Sequence, residues 1–275
     1  MTGDRSVLPP ALVAAREIVE SLVADGVTDV VLSPGSRSAA LAYALDAADA
    51  AGRLTLHVRI DERTAAFLAL GLSRGSAITE GRDLRPVAVV TTSGTAAANL
   101  HPAVLEAHHT GVPLVLVTAD RPHELRGTGA NQTTDQVGLY GGAVRHAVDV
   151  PAPDGRPGET RDLRAVLVRA LAAARGTRSR YPGPVHLNVA FREPLAPSAA
   201  LAGLLSAGPG EASGGTRADA RRTVVEAVTD DVGPYPLDPG PATVLVAGDG
   251  AGDDARRIAE ARGWPLLAEA SSGAA

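Results

Sequence analysis

The sequence predicts an α/β protein built on a doubly wound, mostly parallel sheet. Three observations carry that prediction. Over the first 190 residues, segments with helical spacing alternate with short β-branched runs. Two of the runs, Val87–Thr91 and Leu114–Val117, are almost continuously apolar, the pattern of strands covered on both faces. The segments after the strands are rich in Gly, Ser, Thr and Arg, as loops at the carboxyl edge of such a sheet are when they hold a ligand.

The elements follow in order. Leu12, Ala15, Val19, Leu22 and Val23 fall at helical spacing, and Gly26 supplies the stop. Asp29–Leu32 is a short strand, Ser38–Ala50 an Ala/Leu-rich helix, and Leu54–Ile60 alternates as a strand. Arg63–Arg74 is apolar on nearly every side and predicts a buried helix. Between the two central strands, Thr95–His108 reads as one helix. Val144–Val150 and Val185–Val189 are further strands around a helix at Asp162–Arg175. From Pro194 to Pro241 seven prolines punctuate a Gly/Ala/Ser-rich segment, a linker with one short helix around Ala218–Val228. Strand, helix and strand resume at Thr243–Ala247, Asp253–Arg262 and Pro265–Ala268. Such a unit cannot bury its own faces, so it reads as the start of a second α/β domain. The expected division is 1–195 for the first domain, 196–240 for the linker and 241–275 for the beginning of the second.

Composition removes whole classes of chemistry. All 26 basic residues are arginine, against 31 acidic residues and a net charge of −5. A nucleic-acid partner would require a basic face, and none is expected. Without lysine there is no Schiff base and no P-loop; without cysteine there is no thiolate site and no disulfide. The start, Met-Thr-Gly-Asp-Arg, shows no signal peptide. The uncharged stretch Pro86–Leu105 carries Thr91, Thr92, Ser93, Asn99 and His101, which hydrocarbon tolerates poorly, so no membrane span is expected and the protein reads as cytoplasmic.

Four loops follow predicted strands: Ser33–Ser38, Asp61–Arg63, Thr91–Thr95, and Asp120 through Gln132. Their small residues let backbone approach a ligand, and Arg37, Arg121, Asn131 and Gln132 offer donors to an anionic, oxygen-rich molecule. Taken singly, each has a plain alternative. Glu62 reads as a first-turn glutamate at a helix N-terminus, Arg37 as a surface ion-pair partner, Thr92 as a helix cap, and Asn99 as an interface hydrogen-bonder. Gly248-Asp249-Gly250, with Gly252 and Glu269 beyond, gives a weak dinucleotide-type signal. His108-His109 reads as a polar helix end, because adjacent residues point to different faces.

The strings SPGSRSAALAYAL, HVRIDERTAAFLALGLSRGS, VVTTSGTAAANLHPAVLEAHHTGVPLVLVTADRP and GTGANQTTDQVGLYG, in this order, resemble the thiamine-diphosphate-dependent synthases of menaquinone biosynthesis that make 2-succinyl-5-enolpyruvyl-6-hydroxy-3-cyclohexene-1-carboxylate. The likeness covers most of residues 10–195 and, more weakly, 240–275. It implies a pyrimidine-binding domain followed by the start of a central domain, with the magnesium- or manganese-dependent diphosphate domain outside this chain. It implies that Glu62 is catalytic, its carboxyl bonding the aminopyrimidine ring nitrogen and favouring the tautomer that deprotonates the thiazolium carbon. Pro34, Thr92 and Asn99 would wall the cofactor ring, with no metal ligand in this chain. Ser36, Arg37, Arg121, Asn131 and Gln132 would hold isochorismate, which accepts the unit left by decarboxylating 2-oxoglutarate. The complete protein is expected to be a homodimer or other homo-oligomer, and the chain alone to be inactive. Two further readings stay open: a subunit of a split thiamine-diphosphate decarboxylase, and a binding module without turnover.

Overall fold

A computed structural model of the chain describes residues 8–80, 84–198, 225–227, 236, 240 and 242–274. It divides into two compact units, 1–228 and 229–275. Most of the 196–240 segment, and the helix expected around Ala218–Val228 apart from 225–227, lie outside the described residues.

The first unit runs α1 (Pro10–Ala24), β1 (Asp29–Leu32), α2 (Ala39–Ala50), β2 (Thr55–Val58), α3 (Glu62–Glu80), β3 (Val87–Thr91), α4 (Thr95–Asn99), α5 (His101–Thr110), β4 (Leu114–Asp120), β5 (His146–Val150), α6 (Glu159–Ala174) and β6 (Val185–Ala190). The six strands lie in the order β2-β1-β3-β4-β6-β5, and every pairing is parallel. In the second unit, β7 (Leu245–Ala247) pairs in parallel with β8 (Leu266–Ala268) around α7 (Gly252–Arg262).

Alternation along the strands feeds two cores. Val30, Leu32, Val90, Val117 and Leu187 pack beneath α1, α2 and α6, with Leu12, Ile18 and Leu22 from α1 fully buried. Each such Leu or Ile contributes roughly 1.5–3 kcal/mol by leaving water. Val31, Val89, Leu114 and Leu116 face the other way, beneath α3 and α5. α1 ends as its sequence asks. Gly26 takes φ +83°, and the Val27 amide bonds back to Leu22 O at 3.0 Å, a Schellman closure that suits glycine.

Three expectations need correction. The helix Arg63–Arg74 is not covered all round: Arg63, Thr64, Phe67 and Gly71 face outward on α3, and Phe67 is 40% exposed. Nearly unbroken apolarity therefore measured the residue types available, not the burial of each side. The helix expected over Thr95–His108 breaks into α4 and α5 at Leu100, just ahead of Pro102. Strand β4 runs on to Asp120, all seven residues buried, so Asp120 closes the strand and does not open the loop.

The break in the winding positions everything that follows. β2 and β3 flank β1 on opposite sides, and α2 and α3 cover opposite faces. The crevice beyond the carboxyl ends of β1 and β3 is thus a topological switch point, where open α/β sheets bind ligands.

Candidate functional site

Pairing of β1 with β3 continues one residue past the strand, since the Ser33 amide donates to Val90 O at 2.9 Å. Gly35 then lies flat against Thr92; a Cβ at position 35 would stand 2.4 Å from Thr92 Cβ. Thr92 is 7% exposed, while Pro34 and Ser36 on either side of Gly35 are exposed. Thr92 is not the cap of α4. That place belongs to Gly94, at φ +78°, without a side-chain bond. Beneath this turn the hydroxyls of Ser33 and Thr91 are buried without a hydrogen-bond partner among the described residues.

Arg37 reaches from the short 3-10 turn Ser36–Ser38 across the top of the sheet. Its Nη1 donates to Phe191 O at 3.1 Å and lies 3.7 Å from the Glu193 carboxylate, a mostly exposed group. Its Nε is buried with no acceptor among the described residues. Arg121 stands close enough that burial first, and the charge of Arg37 second, lower its pKa against the opposing pull of Asp120. Ser93 fastens Arg121 to the next loop. Its hydroxyl accepts from Arg121 Nη1 and donates to Gln132 O at 2.9 Å, and Gln132 Nε2 returns a bond to Ser93 O at 3.0 Å. Gln132 sits at φ +53° and is exposed, as is Asn131, whose carbonyl accepts a long bond from the Thr133 hydroxyl.

Glu62 opens α3 next to Asp61. The two acids divide the work: Asp61 Oδ1 accepts from the Thr64 amide at 2.7 Å and the Thr64 hydroxyl at 2.6 Å, and so caps the helix. Those bonds hold the Asp61 carboxyl below the usual carboxylate range. Relieved of capping, half-buried Glu62 accepts only a long bond from Asn99 Nδ2, 3.5 Å to Oε2. Asn99 is therefore engaged within the chain and with Glu62 itself.

The structure thus joins Arg121 and Gln132 through Ser93, ties Arg37 to Phe191 O and Glu193, joins Glu62 to Asn99, and sets Thr92 against Gly35. It gives no contact between these arginines and the Glu62–Asn99 pair, nor any side-chain partner to Pro34, Ser36 or Asn131 among the described residues.

Sequence reasoning missed the support under these loops. The β4–β5 crossover has no α-helix, so a loop with polar backbone covers this side of β4 and β6, and the strands answer with polar side chains. The Thr118 hydroxyl donates to Asn188 Oδ1 at 3.0 Å and so accepts from His186 Nε2 at 2.7 Å, which makes His186 the neutral Nε2–H tautomer. Burial, partly offset by Asp149, pushes His186 down to about 4. Asn188 Nδ2 donates to Asp120 at 2.9 Å and Asp149 at 2.8 Å, and Arg126 bridges the same two carboxylates. Gln136 completes the group, its Oε1 accepting the Gly94 amide at 2.7 Å. Alternate polar residues within otherwise apolar strands (Thr118, Asp120, His186, Asn188) were the available signal.

The two weaker motifs carry no site. His108 is held by Arg145 at 2.8 Å, and among the described residues no group of three or more His, Asp or Glu is placed to hold a metal ion. In the Gly248–Gly252 turn, the Gly250 and Gly252 amides are spent on Ser271 O and Ser272 O, at 3.2 and 2.8 Å, and cannot cradle a pyrophosphate. Among the described residues no helix is long and apolar enough to cross a membrane.

The sequence matches known proteins over most of its length. Residues 13–139 match the N-terminal TPP binding domain of thiamine pyrophosphate enzymes. The chain is similar to three proteins named 2-succinyl-5-enolpyruvyl-6-hydroxy-3-cyclohexene-1-carboxylate synthase. That of Kineococcus radiotolerans is 52% identical over 96% of the chain and 44% of the relative. That of Leifsonia xyli is 48% identical over 96% and 42%, and that of Nocardia farcinica 51% identical over 88% and 43%. The chain therefore spans less than half the length of the curated relatives it matches.

Proposed function

We propose that this chain, which belongs by sequence and fold to the thiamine-pyrophosphate-dependent 2-succinyl-5-enolpyruvyl-6-hydroxy-3-cyclohexene-1-carboxylate synthases, holds the cofactor's aminopyrimidine and the acceptor substrate. In this reading the complete protein is a cytoplasmic homo-oligomer. It joins the unit left by decarboxylating 2-oxoglutarate to isochorismate, with magnesium or manganese on the cofactor diphosphate held outside this chain.

The residues present fit the cofactor. An aminopyrimidine needs a carboxyl group for its ring nitrogen, and Glu62 Oε1 has no partner among the described residues. It also needs backbone within reach, and the turn with exposed Pro34 and Ser36, packed on Thr92 through Gly35, presents it. When bound, thiamine diphosphate supplies the electron sink for loss of carbon dioxide from a 2-oxo acid. Glu62 holds the proton shared with the ring nitrogen, Asn99 orients Glu62, and Pro34 and Thr92 wall the ring.

One observation carries the acceptor half. Two part-buried guanidiniums, Arg37 and Arg121, are near enough to repel each other, and Arg37 Nε has no acceptor among the described residues. Like charges with an orphaned donor are costly until an anion sits between them. A carboxylate of isochorismate fills that role, with Ser36, Asn131 and Gln132 at its rim.

Two measurements test the reading. Arg37→Ala weakens isochorismate binding to the chain, followed by calorimetry, at least about 30-fold, the low end of losing a buried charge partner. In a synthase carrying this segment and the rest of its relatives' length, Glu62→Gln lowers turnover about 10²–10⁴-fold, because an amide cannot share that proton. Unchanged isochorismate affinity in the first variant removes the acceptor assignment. Near-normal turnover in the second removes Glu62 from catalysis.

A further inference from the structure

We propose that Gln136 is a positioning residue that sets the geometry of both loops facing the acceptor. That these loops meet the acceptor rests on the function proposed above; the coupling between them does not.

Gln136 is 1% exposed and uses three of the four hydrogen-bonding positions of its amide. Its Oε1 accepts the Gly94 amide at 2.7 Å, and its Nε2 donates to Asn188 Oδ1 at 2.8 Å and to Ala119 O at 3.3 Å. One side chain from the β4–β5 crossover thus grips the β3–α4 turn, the end of β4 and the middle of β6. The grip reaches the ligand-facing residues directly. Gly94 is pressed so closely on Gln132 that a Cβ there would stand 2.9 Å from both the Gln132 carbonyl oxygen and its Cγ. Next to Gly94, Ser93 holds Arg121 and exchanges two bonds with Gln132. Fixing the Gly94 amide therefore fixes Ser93, and with it the aim of Arg121 and Gln132.

Asn188 makes the arrangement one-way. Its Nδ2 lies on the Asp120 and Asp149 carboxylates, and the Thr118 hydroxyl donates to its Oδ1. Turning the amide over would set an oxygen against two carboxylates, so position 136 must present a donor to Asn188 and an acceptor to Gly94 together. Gln does this at any pH. Glu does it only when protonated, and the neighbouring Asp120 and Asp149 raise the pKa of a carboxyl placed there. The other charged or titratable groups around the position are Arg121 and Arg126 of the crossover, buried Tyr140, and His186 of β6. Their response to pH is common to the wild type and is read from it.

The test uses the 275-residue chain as wild type, Gln136→Glu and Gln136→Met, near pH 8 and near pH 5.5. Amide exchange is measured by mass spectrometry as protection relative to unstructured peptide, and isochorismate affinity is measured on the same samples. Near pH 8, Gln136→Glu loses at least about tenfold in protection over 91–97 and 126–136 while α1 and α6 keep theirs, and isochorismate binding weakens in parallel. Near pH 5.5 both recover in Gln136→Glu but not in Gln136→Met. Wild-type protection over both loops in the variants, loss spread evenly over α1 and α6, or no acid recovery overturns the inference. So does a wild type that binds isochorismate while both variants bind it equally well. If Gln136→Glu does not fold near pH 8, Gln136→Met decides, and failure of both to fold assigns the residue to the fold alone. A wild type that binds no isochorismate but shows the expected protection pattern overturns the acceptor reading and leaves the coupling standing.

Discussion

Gly35→Ala is a purely steric perturbation of the candidate site. Gly35 has φ −168° and ψ 165°, extended backbone that alanine adopts without strain. The whole cost therefore comes from the added methyl group, which would stand 2.4 Å from Thr92 Cβ, 2.5 Å from Cγ2 and 2.8 Å from Oγ1. Carbon atoms rest at about 3.5–4.0 Å, so the turn must open by roughly 1 Å. Rotating Thr92 does not help, because its Cβ is fixed to the backbone. Overpacking of this kind costs about 1–3 kcal/mol, which lowers the melting temperature of a unit this size by about 2–12 °C. A double-mutant cycle read by thermal and urea melts isolates the clash. Thr92→Ser keeps the offending Cβ and gives no relief in the Gly35→Ala background; Thr92→Gly removes it and restores about 1–2 kcal/mol relative to additivity. Wild-type stability in Gly35→Ala, or equal rescue by serine and glycine, would refute the close approach of the two turns.

His186 provides a pH prediction. Its folded pKa of about 4 lies below the ordinary 6.5, so the unfolded chain takes up a proton that the folded chain refuses. Stability is fully present above about pH 6.5 and falls as the pH drops towards 4, by up to about 3 kcal/mol. His186→Gln, which keeps a donor towards Thr118, flattens that window in melts taken across it; an unchanged slope removes His186 as its source. Asp61 behaves as a depressed carboxylate, its contribution present above the ordinary Asp value and lost as the pH falls through its lowered folded pKa. Asp61→Ala therefore melts lower than wild type at neutral pH, and the two curves meet at strongly acid pH; a constant gap between them means that capping is not the cause.

The centre of the sheet was legible because β3 and β4 are buried on both faces, which leaves few polar positions to confuse the reading. Legibility fails where tertiary contacts decide. Thr118 and Asp120 read as lying beyond a strand that ends at Val117 but belong to it, because buried partners on β6 satisfy them. On α3, Phe67 reads as core and stands outside. The candidate ligand residues could be gathered from loop composition and from a family resemblance. Their supports could not. Ser93 and Gln136 act across 39 and 42 residues of sequence, and a bond of that span leaves no local pattern. Asp61 and Glu62 are adjacent acids with equal claims on the helix end, and only the Thr64 bonds tell them apart.

The strand order carries a consequence for how the chain is made. β5 pairs only with β6, and β6 lies between it and β4. During synthesis, residues 121–150 leave the ribosome before the strand that will hold β5 exists. They wait unpaired until Ala190 has followed, and the Asn188 that anchors Gln136 arrives with that same strand. Non-local closure of this kind is slow, and it falls on the segment bearing Arg121, Asn131 and Gln132. The segment that aims the donors thus completes its supporting bonds only once residues 52 to 68 positions further along have been made.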